Sequence, residues 1–131
     1  MIQIICIKNS IDAVDIVWAH FDTSEIDYRE SFYALYLNQA NKVLGIKKIS
    51  KCGITSTLVD VRIILQAALL CNATGFIVSH NHPSENLRPS PEDFKMTKKI
   101  KDASDLLSIR LLDHLILTST EHLSFADEGY L

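Results

Sequence analysis

The segment TGFIVSHNHPSENLRPSPED, residues 74–93, decides how this chain is read. GFIV is a short apolar run that ends in polar residues, the pattern of a central strand covered on both faces. Residues two apart on a strand point the same way, so His80 and His82 project together and Asn81 lies opposite. Pro83 has no amide to give to a ladder and stops the strand just beyond them. Ser90-Pro91-Glu92-Asp93 then reads as a helix start: Ser at the N-cap, Pro at the first helical position, and an acid at the third that reaches back.

Two imidazoles on one face at a strand's end are placed to share a metal ion, and neutral imidazole nitrogen is a favoured zinc donor. A third ligand has to come from another element, and Asp93 is the evident candidate. The same residues also make a plain helix cap. The two readings of Ser90 are compatible, because a capping hydroxyl still shows one side outward. They compete for Asp93, whose oxygens are not expected to serve cap and metal equally well. A catalytic zinc keeps three protein ligands and an open position, together with a carboxylate that does not bind the ion and takes a proton from water. The chain contains no His-Glu-x-x-His, so the helical zinc-protease arrangement is absent. It also lacks the His-x-Glu and Pro-Cys-x-x-Cys pairing of the zinc deaminases.

Working outward, MIQIICI reads as a strand on its β-branched content. Ser10 is placed to cap a short helix over residues 11–20, with Val14, Val17 and Trp18 on one face. SFYALYLN is a strand, NQAN a turn and KVLGIKKIS its hairpin partner, and CGITST is a second breaker. Asp60 precedes VRIILQAALLCN, apolar nearly all round and therefore expected to be a buried helix. The helix over residues 91–107 sets Phe94, Thr97, Ile100, Ala103 and Leu107 on its inner face and lysines and aspartates opposite. On that reading Phe94→Ala costs about 3–5 kcal/mol. RLLDHLILT is a further strand, and EHLSFADEGYL closes the chain with a short strand or tail. Intermixed strands and helices give an α/β or α+β class: a central mixed sheet covered by helices.

At 131 residues the chain is expected to form one domain, with residues 1–25 as an N-terminal strand and short helix and residues 26–131 as the motif-bearing core. Its apolar and charged fractions are those of a soluble globular protein. No apolar run approaches the length of a membrane helix. MIQIICIKNS has neither a basic lead-in nor a cleavage site, so no signal peptide is expected and the default address is the cytosol. Cys6, Cys52 and Cys71 are odd in number and far apart, which argues against a disulfide framework and a zinc ribbon. The net charge of −3 gives no global basic footprint for nucleic acid. Arg88, Lys95, Lys98, Lys99 and Lys101 form a local one, but Asp102 and Asp105 follow closely, as on a solvated helix face.

His80-x-His82, seven residues, Ser90, two residues, Asp93 is the spacing of the JAMM/MPN metalloprotease motif. RESFYALYLNQANKVLG, the HNHPS block, PSPEDFKMTKKI and LLDHLIL together resemble the bacterial RadC-like branch of that superfamily, over roughly residues 26–131. The resemblance implies an MPN-type mixed sheet flanked by helices, in a cytidine-deaminase-like architecture. It implies a zinc ion held by His80, His82 and Asp93, with Glu30 as general acid/base and Ser90 stabilising a tetrahedral oxyanion. Taken without it, Glu30 is an ordinary surface acid in an Arg29-Glu30 pair. The helix-hairpin-helix segment that full-length RadC proteins carry in front does not occur in the sequence, so a free-standing domain is expected.

The family usually has Gly after His-Pro-Ser, where this chain has Glu85, and that leaves the shape of the loop open. Asp113 and His114 intrude into an apolar strand and, as neighbours, face opposite ways. One of them is either a hydrogen-bonding partner for a zinc-binding imidazole or half of a buried polar pair in the core. The leading expectation is a zinc-dependent hydrolase that cuts a peptide or isopeptide bond, with an unknown peptide or protein conjugate as substrate. The alternatives are a DNA-repair-associated accessory domain with a structural metal, and a catalytically silent partner-binding scaffold.

Overall fold

The computed structural model of the chain describes residues 5–51 and 59–131. In chain order the elements are α1 (Ser10–Trp18), β1 (Ser31–Leu37), β2 (Val43–Lys51), α2 (Val61–Leu70), β3 (Gly75–Asn81), α3 (Pro91–Leu106), β4 (Arg110–Leu117) and β5 (His122–Ser124). The strands form one sheet in the order β2-β1-β3-β4-β5. β1 runs antiparallel to both β2 and β3, β3 is parallel to β4, and β5 returns antiparallel on β4. The sheet is therefore mixed, as the alternation of strand and helix patterns predicts. The parallel pair is joined through α3, the helical crossover that a parallel connection requires.

Both faces of the sheet are covered, which is why all seven positions of β1 and of β3 are buried. On one face Phe32, Ala34, Tyr36, Phe76 and Val78 pack against Ile64, Leu65 and Ala68 of α2 and Ile100 of α3. On the other, Tyr33, Leu35, Leu37, Ile77, Leu115 and Leu117 pack against Ala13, Val14 and Val17 of α1, with Phe21 and Ile26. Each of the Val, Leu, Ile and Phe side chains so removed from water contributes about 1.5–3 kcal/mol. Successive residues of β3 thus address two different layers. Val78 and His80 face α2 and α3, while Ile77, Ser79 and Asn81 face the α1 side.

Several expectations are adjusted by how the elements dock. The cap of α1 is Asn9, whose Oδ1 accepts from the Asp12 amide at 3.1 Å, and the helix ends at Trp18. Ser10 is inside the first turn and gives its hydroxyl to Asp127. α2 is not buried all round. Ile64, Leu65 and Ala68 are its buried residues, Val61 and Ala67 pack partly buried against the same core, and Leu70 at its C-terminal end is 79% exposed. The buried residues of α3 are Asp93, Thr97, Ile100 and Ser104; Thr97 and Ile100 keep the inner positions read in the sequence, while Asp93 and Ser104 take the place of their neighbours Phe94 and Ala103. Phe94 and Leu107 are exposed as a result. Phe94 instead leans on Phe125 and Tyr130, at ring distances of 5.4 and 5.2 Å. Asp93 and Ser104 each find partners there, Asp93 in the cluster described below and Ser104 by donating its hydroxyl to the Lys101 carbonyl at 3.0 Å. Of the N-terminal strand, the described part is a short pairing, with the Val43 amide on Ile5 O and the Ile7 amide on Asn41 O. Residues 1–4 and the breaker CGITST fall outside the described residues.

Candidate metal centre

The site lies where β3 ends and α3 begins. His80, in the last turn of the pleat, is fully buried under Phe32, its ring stacked at 6.0 Å and 11°. His82 follows β3, its amide held by the Leu117 carbonyl at 2.8 Å. Asp93 is at the third position of α3, inside a complete capping box: the Ser90 amide donates to Asp93 Oδ2 at 2.8 Å, and the Asp93 amide donates to Ser90 Oγ at 3.1 Å.

These elements bring three ligand atoms together. His80 Nε2 and His82 Nε2 are 3.0 Å apart. Asp93 Oδ1 is 3.2 Å from His80 Nε2, and Oδ2 is 3.2 Å from His82 Nε2. The expected competition between cap and ligand for Asp93 does not arise. A carboxylate has about four lone-pair directions, so Oδ2 takes the Ser90 amide while both oxygens still face the imidazoles.

Hydrogen bonding behind the imidazoles sets which nitrogens carry protons. Thr97 Oγ1 has one proton and gives it to the Asp93 carbonyl at 2.7 Å, so at its 2.6 Å contact with His114 Nδ1 it must accept. His114 is wholly buried; burial first, then the neighbouring imidazoles, depress its pKa well below the ordinary value and keep it neutral. With its one proton on Nδ1, its Nε2 accepts from His80 Nδ1 at 2.8 Å. His80 in its neutral form therefore turns an unprotonated Nε2 toward Asp93. His82 is oriented in the same way, because its Nδ1 lies 2.7 Å from the Asn86 carbonyl and can only donate there.

The result is a convergence of acceptors: two imidazole lone pairs and a carboxylate, 3.0–3.2 Å apart. Such a cluster calls for a cation. Three tetrahedral donors at about 2 Å from one ion are separated by about 3.3 Å, so His80, His82 and Asp93 fit a metal ion and could hold one. A proton answers the same demand. Burial opposes charge on His82, but its bond to Asp93, the Asn86 carbonyl and the charges of Asp93 and Glu30 outweigh that and raise its pKa. Burial likewise pushes Asp93 up, yet the bonds and charge of the two histidines and the Ser90 amide hold its carboxyl well below the usual range.

Glu30 is half-buried and stands immediately before β1. Phe32 pairs with His80 across β1 and β3; extended past the end of that ladder, the same register would bring Glu30 level with His82. Its charge acts on His82. Ser90 is half-buried at the start of α3, and the cap uses a lone pair of its hydroxyl, not the proton.

The Asp113-His114 pair divides its roles. His114 is the partner of His80. Asp113 faces away, accepting from Ser124 Oγ at 2.5 Å and from the Ala126 and His114 amides at 3.0 and 2.8 Å, so it ties the chain after β5 to the sheet. Burial raises its pKa in spite of these bonds. The loop question has an equally local answer. Glu85 adopts φ +64°, the left-handed conformation that favours glycine, and Ser119 Oγ donates to its carboxylate at 3.1 Å. The residue differs from the family's usual glycine while the backbone keeps a glycine's shape.

Sequence reading alone missed Thr97 and Asn81. Thr97 is four residues beyond Asp93 on one helix face, a spacing that brings side chains together. Asn81 is a polar residue aimed at the apolar α1 layer, and that position alone demands buried partners.

Among the described residues, no helix is long and apolar enough to cross a membrane. A family model for the RadC-like JAB domain matches residues 7–130. The chain is 50% identical to a UPF0758 protein of Flavobacterium johnsoniae over 100 residues, 76% of this chain and 44% of that protein. A UPF0758 protein of Porphyromonas gingivalis is 40% identical over 104 residues, 79% of this chain and 46% of that one. One from Aquifex aeolicus is 36% identical over 127 residues, 97% of this chain and 53% of its own length. The chain thus spans about half the length of these curated relatives. With a match over nearly all its residues and the resemblance read from its motifs, the chain belongs to the RadC-like JAB domain family.

Proposed function

We propose that this domain is a zinc-dependent hydrolase that cleaves a peptide or isopeptide bond, with His80, His82 and Asp93 as the ligands. The observation that carries the reading is the acceptor convergence: three electron-rich atoms with their tautomers fixed from behind, beside a carboxylate outside the ligand set. Bound there, zinc would act as a Lewis acid and bring the pKa of water to about 7. Every other role falls to the chain. Glu30, across from His82, takes a proton from water on its carboxylate and returns it to the departing amine. Ser90 directs the hydroxyl proton that its cap leaves unused toward the oxygen that gains negative charge. The first turn of α3, with its amides pointing the same way, supports that charge. His114 and Thr97 keep His80 in the ligand tautomer throughout.

Electrostatics of the surface favour this reading over a nucleic-acid role. Lys98 and Lys101 of α3 are each engaged with an acid one turn on, Asp102 and Asp105, at 2.7 Å. Two residues of the local basic run are thereby engaged in exposed pairs, which weakens it as a track for phosphates. The test is a panel of peptide and isopeptide substrates offered to zinc-loaded, chelated and Glu30→Gln protein. Cleavage by the loaded protein only, lost in the variant, is the expected result. No cleavage of any member by fully loaded protein would favour a partner-binding scaffold.

A further inference from the structure

The residue between the two histidines has its own task. Asn81 is completely buried and points to the α1 side of the sheet, away from the imidazoles. Its carboxamide reaches back fifty residues or more, to the start of β1 and the segment before it. Oδ1 accepts from the Ser31 amide at 2.8 Å. Nδ2 donates to the Arg29 carbonyl at 2.8 Å and to the Ile26 carbonyl at 2.7 Å. A backbone amide needs an oxygen and a carbonyl needs an N–H, so the orientation of this carboxamide is fixed by its partners.

The two inner contacts fall on the peptide groups either side of one residue, Glu30. Before Arg29 the chain is held by local turn bonds, such as Tyr28 N and Arg29 N to Glu25 O, both 2.9 Å. Ser31 is the first residue of β1 and the first with a ladder partner on β2. Glu30 therefore stands where turn gives way to sheet, and a single side chain bridges that point from both directions. We propose that Asn81 is a positioning residue: its carboxamide fixes the backbone on both sides of Glu30 and so sets where that carboxylate stands relative to His82. One strand end then serves two faces. His80 and His82 present ligand atoms on the α3 side, while Asn81 anchors on the α1 side the chain that delivers the acid. The distance between acid and ligands is built into three consecutive residues. No other side chain of this length offers one acceptor and two donors; Asp loses both donors, and Leu fills the same space with neither. The inference rests on the reading that Glu30 acts at the metal centre.

The test uses full-length protein, Co²⁺ as the metal probe, and the variants Asn81→Ala, Asn81→Leu, Glu30→Gln and the Asn81→Ala/Glu30→Gln double variant. Two quantities are read: amide hydrogen exchange by NMR, and the pH at which the Co²⁺ absorption band inflects. Asn81→Ala and Asn81→Leu should each bind one Co²⁺ per chain. The Ser31 amide should exchange at least about tenfold faster, the weight of one buried hydrogen bond, while Val78 in the sheet centre exchanges as in wild type. The Co²⁺ inflection should move in the sense and by the amount seen in Glu30→Gln, and the double variant should move it no further. Asn81→Leu carries the test if the alanine variant does not fold, since it leaves no cavity. Unchanged Ser31 exchange would overturn the proposal. So would a wild-type inflection in both Asn81 variants when Glu30→Gln has shifted it. An inflection that Glu30→Gln itself leaves in place marks the separate failure of the hydrolase reading, and the positioning role falls with it.

Discussion

His114 Nε2 stands 2.8 Å behind His80 Nδ1, and Thr97 holds the far side of the same ring at 2.6 Å. This relay fixes the tautomer of His80, a candidate ligand, from outside the cluster of His80, His82 and Asp93. Replacing His114 by Phe keeps an aromatic ring against Phe125, with which His114 stacks at 4.6 Å, but removes the acceptor. Metal affinity should fall by about 10–100-fold, as it does when the partner of a metal-bound imidazole is lost. Competition against a chromogenic chelator measures it. Thr97→Val should show a weaker effect in the same direction, and an affinity equal to wild type in both variants would leave the relay without a role.

The core prediction follows the observed stripe of α3. Ile100 is fully buried, so Ile100→Ala should destabilise by about 2–5 kcal/mol. Phe94 is 41% exposed and covered from one side only, so Phe94→Ala should cost about 1–2 kcal/mol, below the range for a core Phe. Urea unfolding of the two variants should rank them in that order.

Glu85 offers a test of the loop. At φ +64° a non-glycine residue carries strain of roughly 1 kcal/mol, against which stands one exposed bond from Ser119. Glu85→Gly should therefore leave stability unchanged or raise it by up to about 1 kcal/mol, with metal affinity as in wild type. A marked loss of metal binding would show that the carboxylate, not the backbone, shapes the loop.

The metal-free protein should carry a pH signature in the same cluster. The folded pKa of His82 lies above its ordinary 6.5 and that of Asp93 below its ordinary 3.8. A raised imidazole value stabilises the fold below about pH 6.5 and loses that contribution as pH climbs through the folded value. A depressed carboxyl value stabilises above about pH 4 and loses it as pH falls. The pair therefore contributes most between about pH 4 and 6.5. Asp93→Asn should be destabilised most in that window, on the order of 1 kcal/mol once solvent screening is allowed for. Its difference from wild type should narrow by about pH 8.5. Chemical denaturation at the two ends of this range checks the sign, and a difference that widens with pH contradicts the pairing.

Much of this was legible in the chain because it is written in short spacings. His80 and His82 share a face by the period of a strand, and Ser90 and Asp93 by the geometry of a helix start. What was not legible depends on distant packing. Asp113 and His114 are symmetric in sequence, and only the docking of α3 over one face of β4 makes His114 the partner of His80. Phe94 looks like core until the tail brings Phe125 and Tyr130 beside it. Leu69 and Leu70 are exposed because they fall off the stripe of Ile64, Leu65 and Ala68 that α2 buries. Asn81 is the extreme case: its partners lie at residues 26, 29 and 31, and no local pattern joins them.

In the function proposed above, His80, His82 and Asp93 are the ligands of one metal ion and Glu30 serves the site without binding it. Zinc titration by calorimetry on wild type, Asp93→Asn and Glu30→Gln separates the two roles. The predicted result is one zinc per chain for wild type and for Glu30→Gln with affinities alike, and a loss of at least about tenfold in Asp93→Asn, where an anionic ligand is gone. Equal binding by wild type and Asp93→Asn, or no stoichiometric binding by wild type, would contradict it.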